Sequence, residues 1–385
     1  PTESPTIAPS APTVEPTVRP SDPTMRPSIA PSRPTAVPSF SPTIAQDINL
    51  DSLGTRGFTI SGNTPYAYIG YSVGCVGDIN GDGIDDLTIS PNSVTLVYVL
   101  YGKPQGFSDL QLSHSFPRPL PSDRGFYLKT SITASGLSVS WLGDINRDGI
   151  DDFIAAIPSR TSENRGIVYI IFGKLGGLGN IDLDNFNSLQ GYKIIGANKN
   201  DQLGSFIAGL KDVNNDGYVD MIMGAVGKAY VILGQETINP NFNLGLDLNN
   251  LSSAQGFTIT GFNYQYGMPV SWIGDINQDG IADYAIGLPD SNMIYVLYGN
   301  KVNTNINLGA LSLDQGFKIF GDGQVGRSIS NAGDMNGDEI NDLIIGAPYA
   351  NSYYGVSYVI YGKSDGLDDI DLNHFSNTQG FAIIG

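Results

Sequence analysis

The chain has 385 residues, with 20 basic and 38 acidic side chains and a net charge of −18. This acidity argues against nucleic acid or an anionic membrane surface as a partner. No run of 18 apolar residues is present, so we predict no direct membrane insertion. The single Cys75 excludes an internal disulfide framework, and a chain of this length can rely on its core instead. The sequence starts without Met or a signal peptide, so we interpret it as a mature or trimmed product.

Residues 1–43 form a low-complexity segment rich in Pro, Ser and Thr. Its twelve prolines recur in steps of 4, 4 and 3, and each is followed by Ser or Thr. Because the segment has few apolar side chains to bury, it cannot form a core, and polyproline II is its favoured conformation. We therefore predict a separate N-terminal domain, an extended rod roughly 130 Å long at about 3.1 Å per residue.

The hydroxyl that follows each proline makes this rod a candidate for O-glycosylation, since Pro with Ser and Thr is the composition of O-glycosylated stalks. The alternative is a bare, semi-rigid linker. The segment also resembles the hydroxyproline-rich glycoproteins of algal cell surfaces, which implies Pro hydroxylation as well. The predicted acceptors are Thr2, Thr6, Ser10, Thr13, Thr17, Ser21, Thr24, Ser28, Ser32, Thr35, Ser39 and Thr43.

A long repeat occupies residues 44–385. Each copy contains an inner segment with a small residue four positions before an acidic loop, then a short apolar run, a strand around a Tyr or similar residue, and a Gly-aromatic strand. The loops recur every 59 to 68 residues. Four short strands per repeat predict an all-β propeller of four-stranded blades. The predicted units are 48–109, 110–180, 181–244, 245–304 and 305–369, with a partial unit at 370–385.

The acidic loop is exemplified by DINGDGIDD, which starts at Asp78. Oxygen-bearing side chains at positions 1, 3, 5 and 9, Gly at position 6 and the position-7 carbonyl follow the opening logic of an EF-hand calcium loop. The predicted ligands are Asp78, Asn80, Asp82, Ile84 and Asp86; Asp144, Asn146, Asp148, Ile150 and Asp152; Asp212, Asn214, Asp216, Tyr218 and Asp220; Asp275, Asn277, Asp279, Ile281 and Asp283; and Asp334, Asn336, Asp338, Ile340 and Asp342.

The sequence therefore predicts about five structural calcium ions. The alternative is a set of Asx-rich turns without metal. Fifteen of the 38 acidic residues would then repel one another within short loops, which favours the cation. No ligand set includes His or Cys, which indicates a structural rather than a catalytic metal. In the fifth loop Glu339 replaces the expected Gly, so we expect an altered turn that loses its ion first.

Together these features resemble the FG-GAP repeats of integrin α-subunit propellers, and Gly346-Ala347-Pro348 supplies the second half of that motif. The resemblance implies a seven-bladed ring with its metal loops opposite the usual ligand face. The sequence instead contains five inner-strand trios and six Gly-aromatic strands, from Gly57-Phe58 to Gly380-Phe381. Three explanations stay open: a truncated chain, a ring with fewer blades, or completion by a neighbouring chain.

No catalytic motif is present, so we do not expect an enzyme. His114 and His374 lie in variable linkers, where a solvated surface position is expected, and Trp141 with Trp272 is interpreted as blade packing. The sequon at Asn250 predicts N-glycosylation and supports a secretory route.

Two functions fit the sequence, and both imply a secreted or cell-surface protein. The first, favoured by the regular rod, is an extracellular structural glycoprotein that self-associates into filaments or fibres. The second is an adhesion or receptor module that binds a protein or glycan ligand through the propeller face.

Overall fold

The computed structural model describes residues 57–63, 68–91, 95–104, 109–112, 119–132, 137–158, 163–235, 246–263, 268–302 and 304–385. The chain divides into Pro1–Leu53 and Gly54–Gly385. The predicted rod at 1–43 and its twelve hydroxyl sites lie outside the described residues and stay predictions. No helix in the described ranges is long and apolar enough to cross a membrane.

The second unit is all-β, as predicted. It contains five sheets in which the four strands counted outward from the innermost one are antiparallel. The strands are short runs rich in Val, Ile, Tyr and Phe, which fit a pleated, buried surface. The innermost strands are Ser72–Gly77 (β2), Ser138–Gly143 (β7), Ile207–Lys211 (β12), Val270–Gly274 (β16) and Ser328–Gly333 (β21). Strands second from the centre are Asp86–Ser90 (β3), Asp152–Ile157 (β8), Asp220–Ala225 (β13), Asp283–Leu288 (β17) and Asp342–Ala347 (β22).

The outer half of each sheet consists of a third strand and a Gly-aromatic strand. Third strands are Leu96–Leu100 (β4), Ile167–Ile171 (β9), Lys228–Ile232 (β14), Met293–Leu297 (β18) and Val356–Ile360 (β23). Gly-aromatic strands are Gly125–Lys129 (β6), Gly191–Ile195 (β11), Gly256–Thr260 (β15), Gly316–Phe320 (β20) and Gly380–Ile384 (β25). The glycine is required because Gly316 has φ +146°, and a Cβ there would collide with the Val296 carbonyl oxygen.

Each blade takes three strands from one sequence unit and its Gly-aromatic strand from the next. The five innermost strands contact one another in chain order. Between successive blades lie four apolar clusters, for example the one that joins Val296 and Phe317 of the fourth blade to Leu343 and Ile345 of the fifth. The described strands thus form an open series of five blades, compared with the closed ring of seven that the resemblance implies.

A recurring element, which we call the strap, connects the blades and was not predicted from the sequence. It is a short strand in the linker before four of the six described Gly-aromatic strands, and it pairs in parallel with the preceding Gly-aromatic strand. The strap strands are Leu110–Leu112 (β5), Ile181–Asp182 (β10), Ile306–Asn307 (β19) and Ile370–Asp371 (β24), and the last three continue into 3₁₀ turns at Leu183–Asn185, Leu308–Ala310 and Leu372–His374.

The strap pattern is an Asx residue, Ile or Leu, a polar residue and then Leu. Asp369 Oδ1 accepts a hydrogen bond from Lys318 N at 2.8 Å, and Asp371 Oδ1 accepts one from Asn373 N at 3.0 Å, which caps the 3₁₀ turn. Leu372 is buried between the blades. The linkers are therefore conserved in pattern within this chain rather than variable, although His374 itself is exposed.

One strand and two short helical turns complete the described secondary structure. Ile60–Gly62 (β1) is the first Gly-aromatic strand, and it pairs only with strap β5, in a two-stranded sheet. Short helical turns occupy Pro289–Ser291 and Ala350–Tyr353. Six Gly-aromatic strands and five trios are present, the count that the sequence predicts.

Candidate metal centre

All five acidic loops lie in the described residues, and each connects the innermost strand of a blade to the second strand. The structure therefore places the 25 predicted ligand positions at equivalent points of five blades. A register shift in every inner pair, such as the one between Trp141 and Gly143, precedes the loop. Such a bulge bends the inner strand where the loop begins.

The position-1 carboxylate organises the turn in every loop. Asp78 Oδ1 accepts a hydrogen bond from Asp82 N at 3.0 Å, and Asp78 Oδ2 accepts one from Gly83 N at 2.7 Å. Asp82 Oδ1 in turn accepts from Ile84 N at 3.0 Å. The other loops repeat these three bonds. The carboxylates at positions 1 and 5 are consequently folded into the concave side of the loop.

The position-3 asparagine brings its side chain to the neighbouring carboxylates. In the second loop Asn146 Nδ2 donates to Asp148 Oδ2 at 3.1 Å, while Asn146 Oδ1 accepts from Asp148 N at 2.9 Å. Loops three to five repeat this arrangement. In the first loop Asn80 Nδ2 instead lies 3.4 and 3.5 Å from the two oxygens of Asp86. Position 3 thus contacts position 5 in four loops and position 9 in the first.

The position-9 aspartate is buried and joins three parts of its blade. Asp152 Oδ2 accepts a hydrogen bond from Ile145 N at 3.0 Å, and Oδ1 accepts one from Gly173 N at 2.8 Å. These bonds tie the start of the loop and the end of the third strand to the second strand. All five position-9 aspartates have both bonds.

Burial also changes the acidity of these carboxyls. Desolvation raises the pKa of Asp152, Asp220 and Asp283 to about 8, and that of Asp86 to about 7. The same cause raises the pKa of Asp342. In all five loops the negative charges at positions 5 and 1 add to the effect. A nearby cation would reverse this tendency, because opposite charge favours the ionised carboxylate.

The donor set fits a hard cation in its chemistry, because every candidate ligand is an oxygen. Within the described residues, however, no three His, Cys, Asp or Glu side chains converge as a preformed metal cluster. Two features account for this: position 3 is an amide, and both oxygens of the position-9 carboxylate are directed at backbone N–H groups. A rotation of the Asn amide would exchange its nitrogen for an oxygen donor.

The fifth loop differs from the others in its turn and its surroundings. Glu339 has φ +70°, whereas Gly149 at the same position has φ +86°. Left-handed backbone costs a non-glycine residue about 1–2 kcal/mol. Met335 is 54% exposed, whereas the equivalent residues of the first four loops are buried. The turn itself is preserved, since Glu339 N still donates to Asp334 Oδ2 at 2.9 Å.

Hydrogen bonds from the next blade contact the first, third and fourth loops, a feature that sequence reasoning missed. Asp78 N donates to Asp151 Oδ2 of the next blade at 3.1 Å, and Asp275 N donates to Asn341 Oδ1 at 3.1 Å. The turn after each third strand also reaches back, as Lys174 N does to the Ile79 carbonyl at 3.0 Å. Corresponding bonds contact the third and fourth loops. The loops therefore link blades as well as strands.

The two tryptophans share a lysine from the blade between them. Lys211 Nζ lies 4.9 Å from the ring centroid of Trp141 and 4.8 Å from that of Trp272. Lys211 occupies the position before the loop that is glycine in the other four blades, and it has φ +63°. The ammonium between two indoles explains why this blade tolerates a strained lysine there.

Replacing Lys211 by Met is expected to destabilise the protein by about 0.5–1 kcal/mol, because it removes the cation–π contacts and retains the side-chain stem. Trp141 and Trp272 are the only tryptophans in the chain, so their emission spectrum reports this site directly. Chemical unfolding followed by tryptophan fluorescence measures both the loss of stability and the change in tryptophan emission. Lys211→Gly is the control, since relief of the backbone strain should offset part of the loss. Equal stability of wild type and the Met variant would contradict the cation–π account.

Comparisons with known proteins match this architecture. Residues 325–360, which include the fifth loop, match the family model described as FG-GAP repeat. Integrin alpha-5 of Xenopus laevis is 30% identical over 224 residues, which cover 54% of this chain and 19% of that protein. Integrin alpha-V of Gallus gallus is 28% identical over 223 residues, covering 55% of this chain and 20% of that protein.

An enzyme also matches part of the chain. Phosphatidylinositol-glycan-specific phospholipase D of Bos taurus is 29% identical over 164 residues, covering 36% of this chain and 18% of that protein. The chain spans about a fifth of the length of these relatives. The matches therefore support an FG-GAP, integrin-like fold, and they do not transfer the activity or partners of any relative.

Among solved structures, that of BBS1N in complex with ARL6DN, soaked with lead, aligns over 78% of this chain and 80% of its own chain at 11% identity. The TM-score of that alignment is 0.35, which is too low to support any argument.

Proposed function

We propose that the protein is an extracellular structural glycoprotein, in which a calcium-stabilised propeller is carried on a glycosylated Pro-rich rod. The observation that carries the proposal is the fivefold repetition of one loop geometry, with position-1 and position-5 carboxylates turned inward and a buried position-9 carboxylate beneath them. A structural metal accounts for this repetition, because each blade has the same need for stabilisation and no loop differs in a way that suggests chemistry.

In this proposal each ion is held by the side chains at positions 1, 3, 5 and 9 and by the position-7 carbonyl of its loop. Calcium supplies positive charge that offsets the mutual repulsion of three carboxylates. The position-9 aspartate then holds the second strand to the loop and to the third strand. Asp151 and Asn341 connect the loops of adjacent blades. Cation binding is thereby coupled to the packing of neighbouring blades.

A second candidate is a cell-surface adhesion or receptor module that binds a protein or glycan ligand through the propeller face. The two integrin α relatives favour it, since the region of similarity is the repeat itself. The 11-residue proline array favours the structural role, because a long regular rod suits a spacer in an extracellular assembly. Both candidates place the protein outside the cell, and neither uses an enzymatic site.

Mass spectrometry of the protein from its native source tests the extracellular glycoprotein proposal. We expect an intact mass well above the 41.0 kDa of the polypeptide, with O-glycans on residues 1–43. We also expect an N-glycan at Asn250, which is exposed in the turn after the third-blade linker and whose amide donates to Asp247 Oδ2 at 2.7 Å. Enzymatic N-deglycosylation of wild type and an Asn250→Gln variant separates the two contributions. An unmodified native chain would contradict the proposal.

A further inference from the structure

The second and third acidic loops depart from the shared pattern at two complementary positions. Position 4 is Gly, Asn or Gln in four loops and Arg147 in the second loop. Position 7 is Ile in four loops and Tyr218 in the third loop. The two exceptional side chains lie in neighbouring blades, and they contact each other.

This contact, which we call the clasp, consists of the guanidinium of Arg147, the carbonyl of Gly217 and the ring of Tyr218. Arg147 Nη2 donates a hydrogen bond to the Gly217 carbonyl oxygen. Arg147 Cζ also lies 3.7 Å from the centroid of the Tyr218 ring. Arginine suits both contacts, because its planar guanidinium donates from its edge and stacks with its face on an aromatic ring. The clasp therefore joins the two loops by a polar contact and by a cation–π contact.

The clasp lies at a boundary that lacks the hydrogen bond found between other loops. Asp151 and Asn341, both at position 8, accept hydrogen bonds from the first and fourth loops. Position 8 of the third loop is Val219, whose side chain offers no acceptor. The clasp thus links the second loop to the third where position 8 cannot.

On the side of the second loop, the clasp extends from the segment that carries the proposed ligands. Arg147 has φ +60° and stands between Asn146 and Asp148, which occupy positions 3 and 5. Asp148 N donates to Asn146 Oδ1 at 2.9 Å and to Asp144 Oδ1 at 3.1 Å, so the turn is closed around Arg147. Ligation of a cation by positions 3 and 5 would fix the backbone from which the Arg147 side chain extends.

On the side of the third loop, the clasp holds the peptide that precedes a proposed ligand. This peptide donates through Tyr218 N to Asp216 Oδ1 at 2.9 Å, and its carbonyl, that of Gly217, accepts from Arg147. One end of the peptide is therefore fixed within the third loop, and the other end is fixed by the second loop. The Tyr218 carbonyl is the proposed position-7 ligand and follows directly, so its direction depends on the clasp.

We propose that the second and third calcium sites are coupled through the clasp, with Arg147 as the positioning residue. The inference rests on the proposed calcium-stabilised propeller, and it names how two of its sites regulate each other. Holding a long arginine side chain in one geometry costs conformational entropy, and a loop that is already ordered by its ion has met part of that cost. Occupancy of either site therefore raises the affinity of the other by the same factor, because coupling between sites is reciprocal.

Calcium titrations followed by hydrogen–deuterium exchange test the coupling, because exchange reports each loop separately. Asp144→Asn weakens the second site. It should raise the calcium concentration at which residues 212–220 become protected by about fivefold or more, the range typical of coupled sites. Residues 275–283 of the fourth loop should keep their wild-type midpoint. In the reverse experiment, Asp212→Asn should shift the midpoint of residues 144–152 by the same factor.

Two further variants show whether the clasp carries the coupling. Arg147→Met keeps most of the side-chain stem and removes the guanidinium, whereas Tyr218→Ile installs the residue of the other four loops and keeps the position-7 carbonyl. In either background, Asp144→Asn should no longer shift the midpoint of the third loop. Gln278→Met is the matched control, since Gln278 is the exposed position-4 residue of the fourth loop and has φ +59°. This control should leave the shift intact.

Two results would overturn the coupling through the clasp. One is a third-loop midpoint that Asp144→Asn leaves unchanged, and the other is a shift that persists in full in the Arg147→Met background. Either result, obtained together with calcium-dependent protection of the loops, leaves the proposed structural calcium intact. Exchange that is independent of calcium in every loop would instead reject the structural calcium, and the coupling with it.

Discussion

Removal of calcium by a chelator is expected to lower the thermal midpoint of the protein by more than any single substitution. Each site that binds only the folded state and is occupied at about a hundred times its dissociation constant contributes about 2.7 kcal/mol. Five such sites give a loss on the order of 10 kcal/mol, which is comparable with the whole stability of a typical domain. The chelated protein should therefore be close to unfolding at room temperature.

The measurement combines calorimetry with tryptophan emission. Both tryptophans lie three residues before a loop, Trp141 before Asp144 and Trp272 before Asp275, so their emission should change as the loops lose calcium. Excess calcium should restore the midpoint. Magnesium should restore it poorly, because Mg²⁺ demands near-ideal octahedral geometry and gives up its water reluctantly. A thermal midpoint that is the same with and without the chelator would contradict the proposal of structural calcium.

Much of this fold could be predicted because each blade repeats a local signal. Asp and Gly in the loop, alternating apolar residues in the strands and the Gly-aromatic dipeptide are all short-range patterns, so five copies in one chain reinforce one another. The count of six Gly-aromatic strands and five trios followed directly from these patterns. Gly316 illustrates the reason: the strand geometry forbids a Cβ there, which leaves the same glycine in every copy.

The straps could not be found by the same reasoning, because their partner lies in the preceding blade. A parallel pairing of only two residues leaves no periodic signal in the sequence. Ile181, Ile306 and Ile370 occupy the same register position, and only the strand pairing shows this. The loop-to-loop bonds of Asp151 and Asn341 escaped prediction for a similar reason. Position 8 is Asp or Asn in three loops and apolar in two, so sequence alone gave it no role.

The turn of the acidic loop was predicted in part, and the role of its residues as calcium ligands stays a prediction. Positions 1 and 5 turn inward as an EF-hand opening requires, since the loop satisfies its own N–H groups with those carboxylates. Position 9 was predicted only as a ligand. Its backbone bonds and burial show a second role, because Asp152 also holds three segments of its blade together.

These two roles predict a different dependence on calcium for two substitutions in the second loop. Asp152→Ala leaves the buried N–H groups of Ile145 and Gly173 without acceptors, at about 1–3 kcal/mol each. That cost should appear both with calcium and with a chelator. Asp144→Asn keeps one oxygen at position 1 and removes a charge from the ligand set. This substitution should lower the free energy of unfolding by about 2.7 kcal/mol in saturating calcium and only slightly in the chelator.

Chemical unfolding of both variants, in calcium and in chelator, measures the four free energies, and equilibrium dialysis counts the ions that each variant binds. Asp144→Asn should bind one ion fewer than the wild type, and the equivalent Asp275→Asn should do the same from the fourth blade. If Asp144→Asn costs the same with and without calcium, its carboxylate only organises the turn, through the hydrogen bonds that it accepts from Asp148 N and Gly149 N. The predicted calcium ligands would then be Asx turns without metal. Asp152→Ala should instead lose stability in both conditions, because its bracing bonds are lost in both, and it should lose more in calcium because position 9 is also a proposed ligand. A loss that appears only in calcium for Asp144→Asn separates binding from bracing.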